Sequence, residues 1–531
     1  MSATRASRPA FVALAAALSL PAQSEPGNAA GALLAVLPDE AVAVAWIAEP
    51  ASAADTFVQA LSPVPEGLPV EAVARIGFVV TAVKAAIEDS AAAWATRLMG
   101  GGLAVAAVPA AAGEPLLLAV SRPADVESAL TWCGKRAPKM HVAAAGGLLL
   151  ASNRREGIEM LRARAVGTAG RWAGFAFGEG LQADDSLRIA VDLELLRRIA
   201  PQPPAVTKLA GRDRLVLAPI VDAVDAAKWL RIGFSPALMR LTMVADAGVR
   251  PPFDALIAQG ARGRQVVPLP EDGLALLTVD RSVRALFQDL ERFLPESDVL
   301  AARGFLSIAD ALDGPSSSFV DDLLGGLAEP FTLHVLAAGP ADGERSPFVL
   351  PAFALSAPVA NADVDSILFR LSQIFATIAN AERMQRGQSP FVMRRINDET
   401  GHYLVAEPGP WRGPGDPPID RQLSPTVWCG KDRVVIATTV EAARHVATAP
   451  ASMHVRGDLL VLRGPAIAAA IEVDRAMFEL ARMLDEGEDR AAAAKFLDIV
   501  NAVARDLAEV RLGWEGDGAS TKLHLTLERR R

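Results

Sequence analysis

The side chains that could do chemistry in this sequence are few and scattered. The six histidines include no pair at the i, i+4 spacing by which one helix face holds a metal ion. Four of them fall in predicted strands, where we expect half-buried structural side chains, because a catalytic histidine needs a partner that the sequence does not reveal. Gly134-Lys135 and Gly430-Lys431 lack the upstream glycine of a phosphate-binding loop. The sequence therefore predicts no catalytic residue, no metal site and no cofactor.

The two cysteines, Cys133 and Cys429, lie in identical tetrapeptides, Trp-Cys-Gly-Lys. The first tetrapeptide closes a predicted helix and the second lies inside a predicted hairpin, which indicates coincidence rather than a shared motif. In an oxidising compartment the two thiols could instead form a disulfide that links the two halves of the chain. Both interpretations stay open at the level of sequence.

A proline- and glycine-rich segment, residues 408–418, is the best candidate for an interaction loop. Segments of this length without regular structure are functional or merely mobile. Trp411, Arg412 and Asp416 place an aromatic, a cationic and an anionic side chain within it. We predict these three residues as contacts for a partner. The alternative is that Trp411 packs against its own domain.

The first 24 residues have the three parts of a secretory signal peptide. Arg5 and Arg8 form a positive start, residues 9–20 are apolar, and residues 22–24 offer small side chains for cleavage. An apolar stretch of about 12 residues is too short to cross a bilayer as a helix. We therefore expect export to the periplasm or the extracellular space, and no integral membrane protein after cleavage.

Composition narrows the class of protein further. The chain has 531 residues, of which 51% are hydrophobic and 22% are charged, with a formal net charge of −9. The apolar fraction is too high for a disordered chain, and two cysteines are too few for a disulfide scaffold. A negative net charge gives no indication of the basic surface that binding of nucleic acid or anionic lipid needs. These values indicate an acidic, globular protein of two to four domains.

The most informative feature of the sequence is similarity between its two halves. Leu37-Pro38-Asp39-Glu40 and Leu269-Pro270-Glu271-Asp272 each lead into a predicted strand. Further matched segments follow in the same order, ending with Arg231-Ile232-Gly233-Phe234 and Arg511-Leu512-Gly513-Trp514. The order predicts two copies of one unit, at residues 36–247 and 265–531, joined by a linker at 248–264. The second copy carries an insertion near residues 383–423.

Within each copy the pattern predicts an α+β fold. Alternating segments such as 522–527 are typical of strands with one buried face. Helical segments such as 364–382 carry an apolar stripe that such a face can bury. We therefore expect two tandem pseudo-repeat lobes, each a mostly antiparallel sheet with helices packed on one face. Gly100 and Gly325, which end predicted helices, are expected to take the left-handed conformation that closes a last turn.

The signal peptide, the Leu-Pro-Asp/Glu openings and the duplicated units resemble a family of uncharacterised exported bacterial proteins, a domain of unknown function. The resemblance implies export and duplication and supplies no catalytic residue. We expect an exported, non-enzymatic binding or structural protein that contacts an unknown protein or a small apolar ligand. One alternative is a carrier or sensor that holds an apolar ligand between the lobes. Another is an envelope-acting hydrolase whose active site is assembled from residues distant in sequence.

Overall fold

The structure is a computed structural model of the chain. It describes residues 32–47, 50, 97–109, 114–136, 139–167, 170–177, 181, 185–199, 221, 225–235, 240–247, 265–270, 273–294, 296–314, 318–337, 351–361, 363–409, 423–455, 457–516 and 521–529. The predicted signal peptide, the linker at 248–264 and the loop with Trp411, Arg412 and Asp416 lie outside these residues.

The described residues form a mixed helical and β fold with a large antiparallel sheet. The strands are β1 Ala43–Ile47, β2 Leu103–Val108, β3 Leu116–Ser121, β4 His141–Ala145, β5 Leu148–Ser152, β6 Leu187–Asp192, β7 Trp229–Ser235, β8 Arg240–Ala247, β9 Gln265–Pro268, β10 Gly273–Val279, β11 Phe331–Leu336, β12 Ala352–Pro358, β13 Phe391–Asp398, β14 Gly401–Pro408, β15 Thr426–Cys429, β16 Arg433–Ala437, β17 Ala451–Val455, β18 Asp458–Arg463, β19 Leu507–Gly516 and β20 Thr521–Arg529.

The α-helices that the structure describes lie mainly in the second half of the chain. They are α1 Val126–Arg136, α2 Arg155–Ala165, α3 Leu193–Ile199, α4 Val283–Gln288, α5 Leu290–Phe293, α6 Glu296–Asp313, α7 Val364–Gln385, α8 Val440–Thr448, α9 Gly464–Val473, α10 Arg475–Glu486 and α11 Arg490–Asp506. The helix of residues 364–382 predicted from the sequence is α7, which runs three residues further.

The chain divides into two compact units. The first comprises Met1–Pro203, Ala227–Ala247 and Lys522–Arg531, and the second comprises Pro204–Ala226 and Gly248–Thr521. In the first unit the strands are hydrogen-bonded in the order β8-β7-β6-β1-β2-β3-β5-β4, all antiparallel. In the second the order is β19-β18-β10-β11-β12-β16-β15-β14-β13, again antiparallel.

Both faces of the sheet carry helices in the first unit. Val44 and Trp46 pack into one core with Ile158 and Leu161 of α2. Ala45 and Ile47, which alternate with them along β1, pack into a second core with α1. The prediction of helices on one face is therefore wrong for this unit. Strands such as β2 and β5 are apolar at consecutive positions, and such strands need cover on both sides.

The second unit repeats this three-layered arrangement. Val435 and Ala437 of β16 pack with α8 in one core, while Val434 packs with α7 in another. A separate pair of strands, β9 and β17, contributes to a third core against β10 and β18. Helices again cover two faces, so the prediction of one covered face is wrong here also.

The insertion near residues 383–423 contains a β-hairpin that the sequence analysis did not foresee. Strands β13 and β14 pair antiparallel from Phe391 opposite Pro408 to Asp398 opposite Gly401. Strand β14 then pairs with β15, so the hairpin extends the sheet of the second unit by two strands. The exposed pattern of β13 is typical of an edge strand.

The two helix-ending glycines behave differently. Gly100 has φ of +56°, and a Cβ there would lie 1.8 Å from the carbonyl oxygen of Arg122. The left-handed conformation predicted for Gly100 is thus confirmed. Gly325 has φ of −72°, so the same prediction is wrong for it. A Cβ on Gly325 would lie 2.2 Å from the carbonyl oxygen of Asp321, which makes close packing the reason for glycine there.

A buried ion pair joins the end of β10 to the start of β18. The Asp458 carboxylate accepts hydrogen bonds from the backbone N–H of Asp280 at 2.9 Å and from Arg281 Nε at 2.6 Å. Arg281 Nη2 donates to the same oxygen. The side chains of Arg281 and Asp458 are only 10% and 9% exposed. This contact fixes the central strands of the second unit.

Candidate functional site

Four polar side chains lie together in the interior of the second unit. They stand on neighbouring strands of one sheet face, Thr278 on β10, Thr332 and His334 on β11, and Ser356 on β12. His334 Nε2 and Ser356 Oγ are 3.1 Å apart and hydrogen-bonded. The hydroxyl oxygens of Thr278 and Thr332 are 3.5 Å apart. All four are buried, with His334 only 1% exposed, and we call them the polar cluster.

Burial sets the protonation state of the histidine. The apolar surroundings disfavour the imidazolium and, together with the positive charge of Arg433, lower the pKa of His334 to about 4. His334 is therefore neutral at neutral pH, where one ring nitrogen donates and the other accepts. A base with so low a pKa is poorly matched to proton abstraction near pH 7.

A small cleft reaches the polar cluster. Its volume is about 220 Å³ including the solvent at its mouth. Pockets for small-molecule ligands measure about 300–1,000 Å³, so this cleft is smaller than a typical ligand site. The lining includes Leu269, Pro270, Leu276, His334, Val461 and Arg463. His334 therefore forms part of the wall of a cleft that is too small for a sizeable ligand.

The hydrogen-bonded histidine and serine resemble a general base beside a nucleophile. A working pair also needs a third group that orients the base and access for the substrate. Within the described parts of the chain no carboxylate is hydrogen-bonded to His334, and Ser356 is 3% exposed. The described residues also contain no group of three or more metal-binding side chains. The arrangement therefore supports a structural hydrogen-bond network.

The two cysteines are free thiols in the structure, which does not contain the disulfide that the sequence permits. Cys133 is half-buried in α1, and Cys429 is buried at the end of β15. Burial raises the pKa of both thiols, that of Cys429 to about 12 with a further contribution from the charge of Asp365. Both thiols are therefore protonated and weakly nucleophilic at neutral pH.

Among the described residues, exposed large apolar side chains are more numerous on the second unit. In the described part of the first unit, the large apolar side chains that are exposed are Met140, Val166, Leu196 and Ile199. The helices of the second unit carry many more, on α6 Leu300, Phe305 and Ile308, on α7 Phe375, Ile378 and Met384, at the end of α9 Val473, on α10 Leu480 and Leu484, and on α11 Phe496 and Val503. Contiguous apolar surface marks interaction sites in soluble proteins, and the exposed residues at the end of α9 and on α10 are close enough in sequence to contribute to one such surface.

Helix α10 contacts the rest of the protein through its polar side. Arg475 and Glu479 are hydrogen-bonded to each other at 3.1 Å, and Arg475 Nη2 donates to Asp498 of α11 at 2.7 Å. The guanidinium of Arg482 lies 4.0 Å above the ring of Phe496. The side chain of Glu479 is only 9% exposed, which is unusual for a glutamate on a surface helix.

The opposite side of α10 is apolar and exposed. Leu480 is 50% exposed and Leu484 is 74% exposed, and Val473 at the end of α9 is 71% exposed. Ala476 and Ala481 are exposed beside them. The four residues of α10 share one side of the helix by their spacing. With Val473, which precedes them at the end of α9, we call them the 473–484 stripe. An amphipathic helix normally buries its apolar side, whereas in α10 the most exposed apolar side chains lie opposite the buried Glu479, and Met477, Phe478 and Met483 are half-buried.

Among the described residues, no helix combines the length and the apolar composition needed to cross a membrane. The chain matches no protein-family model and no curated protein.

Sequence reasoning found the elements that carry these sites but not the sites themselves. His334 was expected to be a half-buried strand residue, and it is in a strand but almost fully buried. Its contact with Ser356, 22 residues away, depends on strand register. The sequence analysis missed the 473–484 stripe, because sequence alone does not say which side of a helix faces its neighbours.

Proposed function

We propose that this chain is an exported, non-enzymatic binding protein built from two copies of one α+β unit, of which the second carries the binding surface. The observation that carries this proposal is the number of exposed large apolar side chains on the described helices of the second unit. A protein keeps such side chains in water at a cost in solubility, and a partner that covers them explains their presence. No cofactor takes part in this function.

The strand orders support the proposed duplication. From β7 the first unit reads β7-β6-β1-β2-β3-β5-β4. From β19 the second reads β19-β18-β10-β11-β12-β16-β15, followed by the inserted hairpin. Each strand of one list has its counterpart at the same place in the other. We place the copies at residues 36–247 and 265–531, behind a signal peptide at residues 1–24.

The registers of paired strands extend the match to single positions. Val44 pairs with Ala106 and with Ala190, and Leu276 pairs with His334 and with Val461. By this register the polar cluster occupies the positions of apolar residues in the first copy, Thr278 for Trp46, Thr332 for Ala104, His334 for Ala106 and Ser356 for Val120. The copies have therefore diverged in their cores as well as on their surfaces.

Site-specific photo-crosslinking tests the binding function. A benzophenone amino acid is placed at Phe305 or at Leu484 in the second unit, and at Val166, which is 89% exposed, as a control in the first. We expect crosslinked adducts at the two second-unit positions in the intact cells that make the protein, and none at position 166. Equal adducts at all three positions, or none at any, would contradict the proposal. The protein recovered should also lack its first 24 residues.

A hydrolase remains the second candidate because His334 and Ser356 are hydrogen-bonded at 3.1 Å. A fluorophosphonate probe, which reacts with activated serines, separates this candidate from the binding function. We expect no labelling of the native protein, because Ser356 is buried and its histidine is a weak base. Labelling that disappears in Ser356→Ala and persists in Ser366→Ala, an exposed serine of α7, would establish the hydrolase instead.

A further inference from the structure

The 473–484 stripe belongs to a helix whose contacts with its own protein are already complete. The ion pairs of Arg475 with Asp498 and of Glu479 with Arg490 hold α10 against α11. Turning the helix to bury the stripe would break these contacts and expose Glu479. The stripe is therefore available to another molecule in the folded state.

The length and spacing of the stripe define the shape of its occupant. Within α10, Ala476, Leu480 and Leu484 follow one another at intervals of four residues, so they line about two turns of helix, and Val473 precedes them at the end of α9. Ala476 and Ala481 leave shallow positions between the larger side chains. A surface of this kind accepts an amphipathic helix that carries its own apolar residues at i, i+3, i+4 and i+7.

The charge around the stripe favours basic residues in the segments that flank the apolar side of the incoming helix. Residues 472–490 contain seven acidic side chains and three arginines, which gives a net charge of −4. The three arginines are engaged within the hairpin of α10 and α11, Arg475 with Asp498, Arg482 with Glu488 and Arg490 with Glu479. The region therefore attracts cationic flanks and repels a second copy of this acidic chain.

We propose that the 473–484 stripe binds a basic amphipathic helix of a partner protein. This inference rests on the proposed binding function and names the surface and the chemistry of the partner. Apolar residues of the incoming helix cover Leu480 and Leu484, and its lysines or arginines lie beside the acidic residues at 485–489. Burial of the leucines supplies the affinity, and the charges orient the helix and speed its approach.

A model peptide tests the inference on the mature full-length chain. The probe is a fluorescein-labelled 14-residue peptide of leucine and lysine with the leucines at i, i+3, i+4 and i+7, and its counterpart has glutamate for every lysine. Fluorescence anisotropy should show binding of the lysine peptide, weakened by salt, and no binding of the glutamate peptide. The double variant Leu480→Ala/Leu484→Ala should bind roughly tenfold more weakly, because two buried leucines are lost.

The matched control is Leu196→Ala/Ile199→Ala on α3 of the first unit, where the two side chains are 41% and 49% exposed. This variant should bind the lysine peptide as the unchanged chain does. The inference would be overturned if both variants lost the same affinity for the lysine peptide, if the two peptides bound equally well, or if neither bound. A dimer in sedimentation velocity that only the α10 variant abolishes would also overturn it, since the occupant would then be a second copy of the chain. Crosslinks at Phe305 would in each case leave the proposed function standing.

Discussion

Replacing Asp458 by alanine is expected to lower the free energy of unfolding by about 3–5 kcal/mol, because removal of one partner leaves a buried charge without its counterion. The carboxylate receives Arg281 and the backbone N–H of Asp280 at the junction of β10 and β18. Chemical denaturation with a probe in the second unit measures the change. The free energy of unfolding of Asp458→Asn should lie between those of Asp458→Ala and the unchanged chain, since the amide oxygen still accepts the backbone hydrogen bond.

The control for Asp458 is an ion pair on the protein surface. Glu382 and Arg386 of α7 lie 3.6 Å apart with side chains 63% and 70% exposed. Glu382→Ala should change the free energy of unfolding by less than about 0.5 kcal/mol, as exposed pairs generally do. Similar losses for Asp458→Ala and Glu382→Ala would mean that the Arg281–Asp458 pair does not hold the central strands together.

Acidification from pH 7 to pH 4.5 is expected to remove about 2–3 kcal/mol of stability through His334 alone. The folded state lowers the pKa of His334 from its ordinary 6.5 to about 4, so folding favours the neutral ring. The contribution of His334 is therefore fully present above pH 6.5 and is lost as the pH falls towards 4. Below pH 4 the ring is protonated in both states and the loss is complete.

The His334→Gln variant isolates this effect. Glutamine keeps a hydrogen-bonding group near Ser356 and cannot take up a proton in this range. Between pH 7 and pH 4.5, the free energy of unfolding of the variant should therefore fall by about 2–3 kcal/mol less than that of the unchanged chain. The measurement is the free energy of unfolding at both values of pH. Parallel pH profiles for the two proteins would show that His334 is not held neutral by its surroundings.

Local sequence patterns were sufficient to predict many elements of this fold. The hairpin of β4 and β5 turns at Gly146-Gly147, where both residues have positive φ, and such a glycine pair between two apolar segments is a local signal of a turn. The apolar period of 364–382 located α7. These features depend on residues that are near one another in the chain, and for them local physical chemistry decides the outcome.

Features that depend on tertiary contacts were missed. The sequence indicated sheets with one buried and one solvent-exposed face, but Val44 and Ala45, which point to opposite faces, each pack into a separate core. The polar cluster requires three strands in register. Helix α10 looks like any amphipathic helix until Glu479 is found buried between Arg475 and Arg490. In each case the contact that decides the structure joins residues whose pairing cannot be inferred from the sequence.

The pairing of β10 with β18 has a consequence for how the protein is made. Arg281 and Asp458 are 177 residues apart, and ribosomes add about 5–20 residues per second. One long edge of β10 therefore waits roughly 10–35 seconds for its neighbour during synthesis. An unpaired edge is a template for strands of other nascent chains. Any chain that ends before residue 458 therefore exposes this edge of β10 to pairing with another chain.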